Sequence, residues 1–506
     1  MGEGEKMKHQ EALDYVINKL EELSNYEYAS SIIYWDLETG APKEGIKKAS
    51  KVLGFYSGES HKILTDHKFN KNLDLLLKNL NLLDPIHKKI IIETKKDIEN
   101  IKKIPLNEYK EYSELLSKAQ PIWAEAREKN DFSLFLPFLK KIIQYKQKYV
   151  NYKGYKEHPY DALLDDYEPG ITVKQLDIFF ENLKNKLVPL ILKINEKKDF
   201  ISNDLLKLDY SIEKQKEFSI FIAKYLGFDF ERGLLKESAH PFSMGLNKYD
   251  VRMTTRYFLN DLQPSLFGTI HESGHSLYEQ NIGEDIWETR LGGGNSMGIH
   301  ESQSRLYENL IARSFEFWIP IYPKLQEIFP ENLKDITLEE FYKAINKSQS
   351  DLIRVEADEL TYSLHIILRY EIEKELIEGK IIPEELPKIW NERMEKYLGV
   401  TPPNDSDGVL QDVHWAAGLF GYFPSYALGS ANASQIMNTM RNKLDVDTIL
   451  KDGKLEEIKE YLGENIHKYG KLKDPNEIME IATGETPNSK YYVDHLIEKY
   501  SKLYEI

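Results

Sequence analysis

Residues 267–280 read FGTIHESGHSLYEQ. Pro264 suits the first turn of a helix, and Asn281 with Gly283 suits its end, so the spacing predicts one helix over 264–281. Residues four apart stack on one helix face, which lets His271 and His275 reach a single ion. Glu272 points in a neighbouring direction, where its carboxylate can act on a water beside that ion. The bland alternative is a helix with two exposed histidines. Zinc hydrolases require the arrangement His-Glu-x-x-His and an ordinary helix does not, so the metal reading is preferred.

Two imidazoles leave a catalytic zinc one protein ligand short. A histidine supplied by the continuation H-x-x-G-x-x-H is excluded, because Tyr278 stands where glycine would be and Asn281 where histidine would be. Glu284, Asp285 and Glu288 lie in an irregular connection that ends in Gly292-Gly293-Gly294. Glu301 sits early in a second helical stretch, SMGIHESQSRLYENLIARSFEFWIP from residue 296, whose apolar stripe should pack it beside the first. It is the preferred third ligand, the alternative being a surface or capping glutamate. Upstream, GLNKYDVRMTTRYFL at 245–259 has turn residues followed by alternation and β-branched side chains, which predicts a short hairpin near 240–259.

Farther out, helix patterns dominate. EALDYVINKLEELSNYEYASSIIYWD, NLDLLLKNLNLL and TVKQLDIFFENLKNKLVPLILKINEK carry apolar residues at three- and four-residue spacing, separated by turns such as Gly40-Ala41-Pro42 and Glu168-Pro169-Gly170. No fixed-period repeat or Pro/Gly/Ser-rich linker interrupts them. The expected fold is mainly α: one domain over 1–506, a large helical body with a groove between two lobes and a small hairpin beside the histidine helix. With 506 residues and 41% apolar content the chain can bury a large core. Its formal charge of −16 argues against nucleic acid as the main partner, and KKIIQYKQKYVNYKGYK at 140–156 reads as a solvated helix face. There is no cysteine, hence no thiolate metal site. No apolar run suits a signal peptide or a membrane span, so a cytoplasmic protein is expected.

Several segments together resemble the carboxypeptidase Taq family of thermostable metallocarboxypeptidases, zinc peptidases whose third ligand is a glutamate on the next helix. They are HESGH, GIHESQSRLYEN, HPF at 240–242, DVRMT at 250–254, IRVEAD at 353–358, GVLQDVHW at 408–415, WDLETGAPKEG at 35–45 and HPYDALLDDYEPG at 158–170. The likeness spans most of the chain, with Ala41 a small departure. It implies a fold akin to other zinc oligopeptidases, a homodimer, release of single C-terminal residues, broad side-chain tolerance and slow cleavage next to proline. It also implies Zn2+, or another divalent ion such as cobalt, on His271, His275 and Glu301, with Glu272 as general base.

Lysine so dominates the basic residues that only eleven are arginine, and a retained arginine is a candidate for its planar fork. Arg354 stands four residues before Asp358 in what reads as a long helical stretch. The pair reads either as an aspartate-steadied clamp for a peptide carboxylate or as a solvated ion pair worth about 0.3–0.5 kcal/mol. The resemblance, in which this arginine is implicated in carboxylate recognition, favours the clamp. QDVHWAAGLFGYFPSYALG at 411–429 offers His414 and Tyr426 as donors to a developing oxyanion, with Tyr422 as the fallback; the alternative is core aromatics with satisfied tips. His240 and Arg252 flank the expected hairpin and are candidate substrate contacts, although His240 also suits a plain turn before Pro241. His365 reads as a core histidine, and His61, His87 and His467 as surface residues. Rival readings are an oligopeptidase or dipeptidyl carboxypeptidase on the same scaffold and, more distantly, a non-catalytic protein stabilised by its metal.

Overall fold

The computed structural model describes residues 3–506 and is mainly helical, with one three-stranded sheet. Its interior divides into two large hydrophobic clusters. One gathers side chains from helices Phe132–Lys153, Val173–Glu196, Tyr362–Glu378 and Lys490–Tyr504. The other gathers side chains from helices Gln263–Gln280, Phe315–Ile328 and Leu338–Ile345. Helix Pro424–Arg441 serves both, since Ala427, Leu428 and Ala431 enter the first cluster while Ala433, Ile436 and Met440 enter the second. A small third cluster joins Val16 of the long first helix, Glu3–Thr39, to Phe69, Leu73 and Ile91.

The HESGH helix runs from Gln263 to Gln280 with proline in its first turn. Leu266, Ile270 and Leu277 are buried on its apolar side, at about 1.5–3 kcal/mol each. That burial fixes the roll of the helix and so the direction of the 271/275 face. The expected hairpin is present as β2 (Ser243–Asn247) antiparallel to β3 (Asp250–Thr255). A strand absent from the sequence reading, β1 (Gly233–Glu237), pairs in parallel with β3 to give the order β1-β3-β2. GLLKE lacks the period-two alternation that signals a strand. β3 packs on the HESGH helix through polar pairs as well as apolar ones: Thr269 Oγ1 lies 3.2 Å from Thr255 Oγ1.

The stretch from 296 to 320 is not one helix. It runs from Met297 to Arg305, widens into a π-helical turn at Leu306–Ile311, and restarts at Phe315 under a Ser314 cap. His467, expected at the surface, is fully buried, because the turn that carries it tucks under Tyr278 and bonds to Gln303.

Candidate active site

Helix geometry places His271 and His275 with ring centroids 4.9 Å apart. One donor atom from each of His271, His275 and Glu301 lies within 4.8 Å of the others. Glu301 Oε2 is 3.7 Å from His271 Nε2 and 3.4 Å from His275 Nε2. Two glycines make this approach possible. A Cβ on Gly274 would stand 2.7 Å from the Gln303 carbonyl oxygen, and one on Gly429 would stand 2.5 Å from Glu301 Cγ. The backbones therefore close on either side of Glu301, where any larger residue would hold them apart.

The far sides of both imidazoles are tied down. His271 Nδ1 lies 2.8 Å from Glu308 Oε2. His275 Nδ1 lies 2.6 Å from His300 Nδ1, and His300 Nε2 lies 2.8 Å from Glu279 Oε1. Arg305 donates to Glu301 Oε1 at 2.7 Å and to Glu308 Oε2 at 3.2 Å. Such partners orient ligating imidazoles with Nε2 forward, and a carboxylate such as Glu308 also raises the basicity of the ring it holds. Sequence reading missed all four. The spacing of four between His275 and Glu279 was a visible hint, whereas Glu308 reaches His271 only from the widened turn.

Electrostatics follow from burial and these partners. Burial opposes a charge on His271, yet the Glu301 and Glu308 carboxylates overcome it and raise the pKa to about 9. His275, also desolvated and next to His300, falls to about 4. For Glu301 burial alone would favour the neutral acid, but Arg305 and the two histidines hold it well below the usual carboxylate range. Glu272 is buried beside them, and that burial raises it to about 7, the range suited to a group that accepts and returns a proton.

A second group of candidates faces this one. Arg354 is not in a long helix and does not pair with Asp358. It opens a three-residue 3-10 turn, and an i,i+4 partner needs α-helical geometry that the turn lacks. Asp358 instead caps its own loop, accepting from Ser348 Oγ and the backbone N–H of Thr361. The true partner of Arg354 is Asp412, whose Oδ1 accepts from Nε at 3.0 Å and Nη2 at 2.8 Å. Nη1 donates to Tyr362 Oη at 3.0 Å. His414 Nε2 lies 3.3 Å from Tyr426 Oη, and burial lowers the histidine to about 4, so it is neutral at pH 7. Tyr422 packs edge-on against Tyr426, with centroids 5.2 Å apart. Tyr362 joins the two groups, because Arg305 stacks 4.5 Å from its ring centroid while its hydroxyl accepts from Arg354.

His240 and Arg252 are not drawn into this network. The Arg252 fork is occupied by Asp250, at 2.8 Å for both Nε and Nη2, and its guanidinium lies near the Trp35 ring. His240 is exposed, and Ser238 bonds to its carbonyl oxygen. His365 is fully buried, in keeping with a core histidine.

Two imidazoles and a carboxylate converging in a helical body, with a buried glutamic acid next to one imidazole, form the donor set of a His-Glu-x-x-His metallohydrolase. Nitrogen and oxygen donors of this mix, with Nε2 forward on both rings, fit a divalent ion. The profile of the carboxypeptidase Taq (M32) metallopeptidases matches residues 16–500. Carboxypeptidase 1 of Bacillus subtilis is 47% identical over 486 residues, covering 96% of this chain and 97% of that one. Thermostable carboxypeptidase 1 of Pyrococcus furiosus is 38% identical over 499 residues, covering 98% and 100%. Among solved structures, the M32 carboxypeptidase of Deinococcus radiodurans R1 superposes with a TM-score of 0.94 at 32% identity, covering 98% of this chain and all of that one. The chain belongs to the carboxypeptidase Taq (M32) family of metallopeptidases and is a metallocarboxypeptidase.

Proposed function

We propose that the chain releases single amino acids from the C-terminus of peptides, using zinc, or another divalent ion such as cobalt, held by His271, His275 and Glu301. Bound there, the ion would act as a Lewis acid toward a water and the scissile carbonyl. Glu272 takes the proton of the attacking water and returns it to the leaving amine, which a buried carboxyl near neutral pKa can do in both directions. Tyr426 and neutral His414 donate hydrogen bonds to the oxygen that gains charge at the tetrahedral carbon.

The observation that carries the exopeptidase reading is the hydrogen-bond count on Arg354. Of its five N–H donors, Asp412 takes one from Nε and one from Nη2, and Tyr362 takes one from Nη1. One N–H remains on each terminal nitrogen, two donors left for a terminal carboxylate to accept. A peptide clamped there presents its last bond, and no other, to Glu272 and the ion.

Likeness to the family further supports broad side-chain tolerance, slow release next to proline, a groove between two lobes and a homodimer, while a cytoplasmic setting rests on the sequence reading alone. Helix Pro424–Arg441, shared by both large clusters, supports a single catalytic domain. Tyr422, Arg252 and His240 remain candidate substrate contacts. The test is mass spectrometry of one peptide with a free and an amidated C-terminus, incubated with metal-loaded protein. Stepwise shortening of the free form alone is expected. Equal cleavage of both, or activity that survives a chelator, overturns the reading.

A further inference from the structure

Arg354 and Asp412 together carry no net charge. A clamp made of that pair alone would offer an incoming carboxylate hydrogen bonds but no electrostatic attraction. The structure supplies a third member from helix Tyr362–Glu378, which the sequence reading noted only for the core histidine His365. Arg369, fully buried on helix Tyr362–Glu378, donates from Nε to the other oxygen of Asp412 at 2.6 Å. Its remaining bonds are internal: Nη1 to the His365 carbonyl at 2.7 Å and Nη2 to Gln411 Oε1 at 2.7 Å. Its guanidinium lies 4.6 Å from the Trp390 ring centroid. Gln411 also accepts from the backbone N–H of Arg354, so one residue ties the two arginines into a fixed frame.

We infer that Arg369 is a specificity-determining positioning residue: it cancels the charge of Asp412, so that Arg354 meets the substrate carboxylate as an uncompensated cation. The unit of two arginines and one aspartate carries +1. The neighbouring ion pairs do not change that sum, since Arg305 and Arg313 stand against Glu301 and Glu308, two charges of each sign. A buried positive charge without a partner is costly in the free enzyme, and a carboxylate that arrives relieves it; selectivity for a free C-terminus over an amide follows. Arg369 does not touch substrate. It acts through Asp412, which explains why a fully enclosed arginine stands where an apolar residue would pack.

The inference rests on reading Arg354 as the carboxylate clamp, and the test separates the two. Steady-state kinetics on an N-blocked dipeptide, and binding of an N-acyl amino acid and its amide as inhibitors, are measured for R354Q, R369Q, R369K and R369Q/D412N. R369Q is expected to raise KM and weaken the free-acid inhibitor by about tenfold or more, with kcat within about threefold and amide binding unchanged. R369K, which keeps the charge, and R369Q/D412N, which restores +1, are expected to recover most of that loss. If R354Q raises KM but R369Q does not, the role of Arg369 is overturned while the clamp stands; if R354Q leaves KM unchanged, the clamp itself is wrong. A loss in R369Q that neither R369K nor R369Q/D412N recovers would mark Arg369 as structural only. Should R369Q fail to fold, R369Q/D412N decides: near-normal KM and preference for the acid support the charge argument, and loss of that preference overturns it.

Discussion

The face that gathers His271, His275 and Glu301 and the face that gathers Arg354, His414 and Tyr426 meet at Tyr362, yet they are assembled in different ways. The first stands on regular helices. Backbone hydrogen bonds already fix where residues 271, 272 and 275 point, and Gly274 and Gly429 set how near Glu301 comes. The second stands mostly on irregular chain, a 3-10 turn at 354–356 and the stretch 411–423, ending in the first turn of a helix. There the side chains hold one another, with Asp412 between two arginines and Tyr426 against His414. A helix-borne site should lose one function at a time. A site held by mutual side-chain bonds should lose several together, and its variants should not add.

The largest effect is expected where the helix-borne half does chemistry. Glu272→Gln should lower kcat by about 10²–10⁴-fold while bound metal per chain stays unchanged. Kinetics paired with metal analysis checks this, and metal loss in the variant would mean the helix face is less independent than its geometry implies. In the loop-borne half, Tyr426→Phe should lower kcat by about 10²–10³-fold. His414→Gln added to it should cost less than the two single changes combined; strict additivity would break the network half of the comparison. Glu308→Gln, read by chelator competition on the apoprotein, should weaken metal binding by about 10–100-fold, because His271 loses the carboxylate that orients it. Gly274→Ala should cost about 1–3 kcal/mol in urea unfolding, since the added methyl meets backbone and not a movable side chain.

The last effect concerns the packing under the site and is absent at neutral pH. Burial lowers His467 to about 3, whereas an unfolded histidine titrates near 6.5. Above that pH both states are neutral and the residue contributes no pH dependence. Between about 6.5 and 3 the unfolded chain binds a proton that the folded one does not, so stability falls by about 1.4 kcal/mol per pH unit as pH drops. His467→Gln should flatten the acid side of a stability-versus-pH curve by that slope. An unchanged slope would show that the buried imidazole accepts its proton after all.

Residues within one helix were the legible part of this protein. A period of 3.6 is set by local backbone bonds, so the sequence alone determined that a helix spans about 264–281, within a residue of the observed Gln263–Gln280 at each end, that His271 and His275 share a face, and that Glu301 lies early in the next helix. The hairpin before it was legible for the same reason, since alternation and turn residues are local signals. Tertiary structure alone decided the rest. Arg354 looked paired to Asp358 because an i,i+4 spacing presumes a helix; the chain turns there, and the partner comes from 58 residues away. Glu308 meets His271 only because a π turn widens the helix, and His467 is interior only because a distant turn folds beneath Tyr278. Which side chains meet across loops is chosen by packing between segments far apart in the chain, and no period in the sequence records that choice.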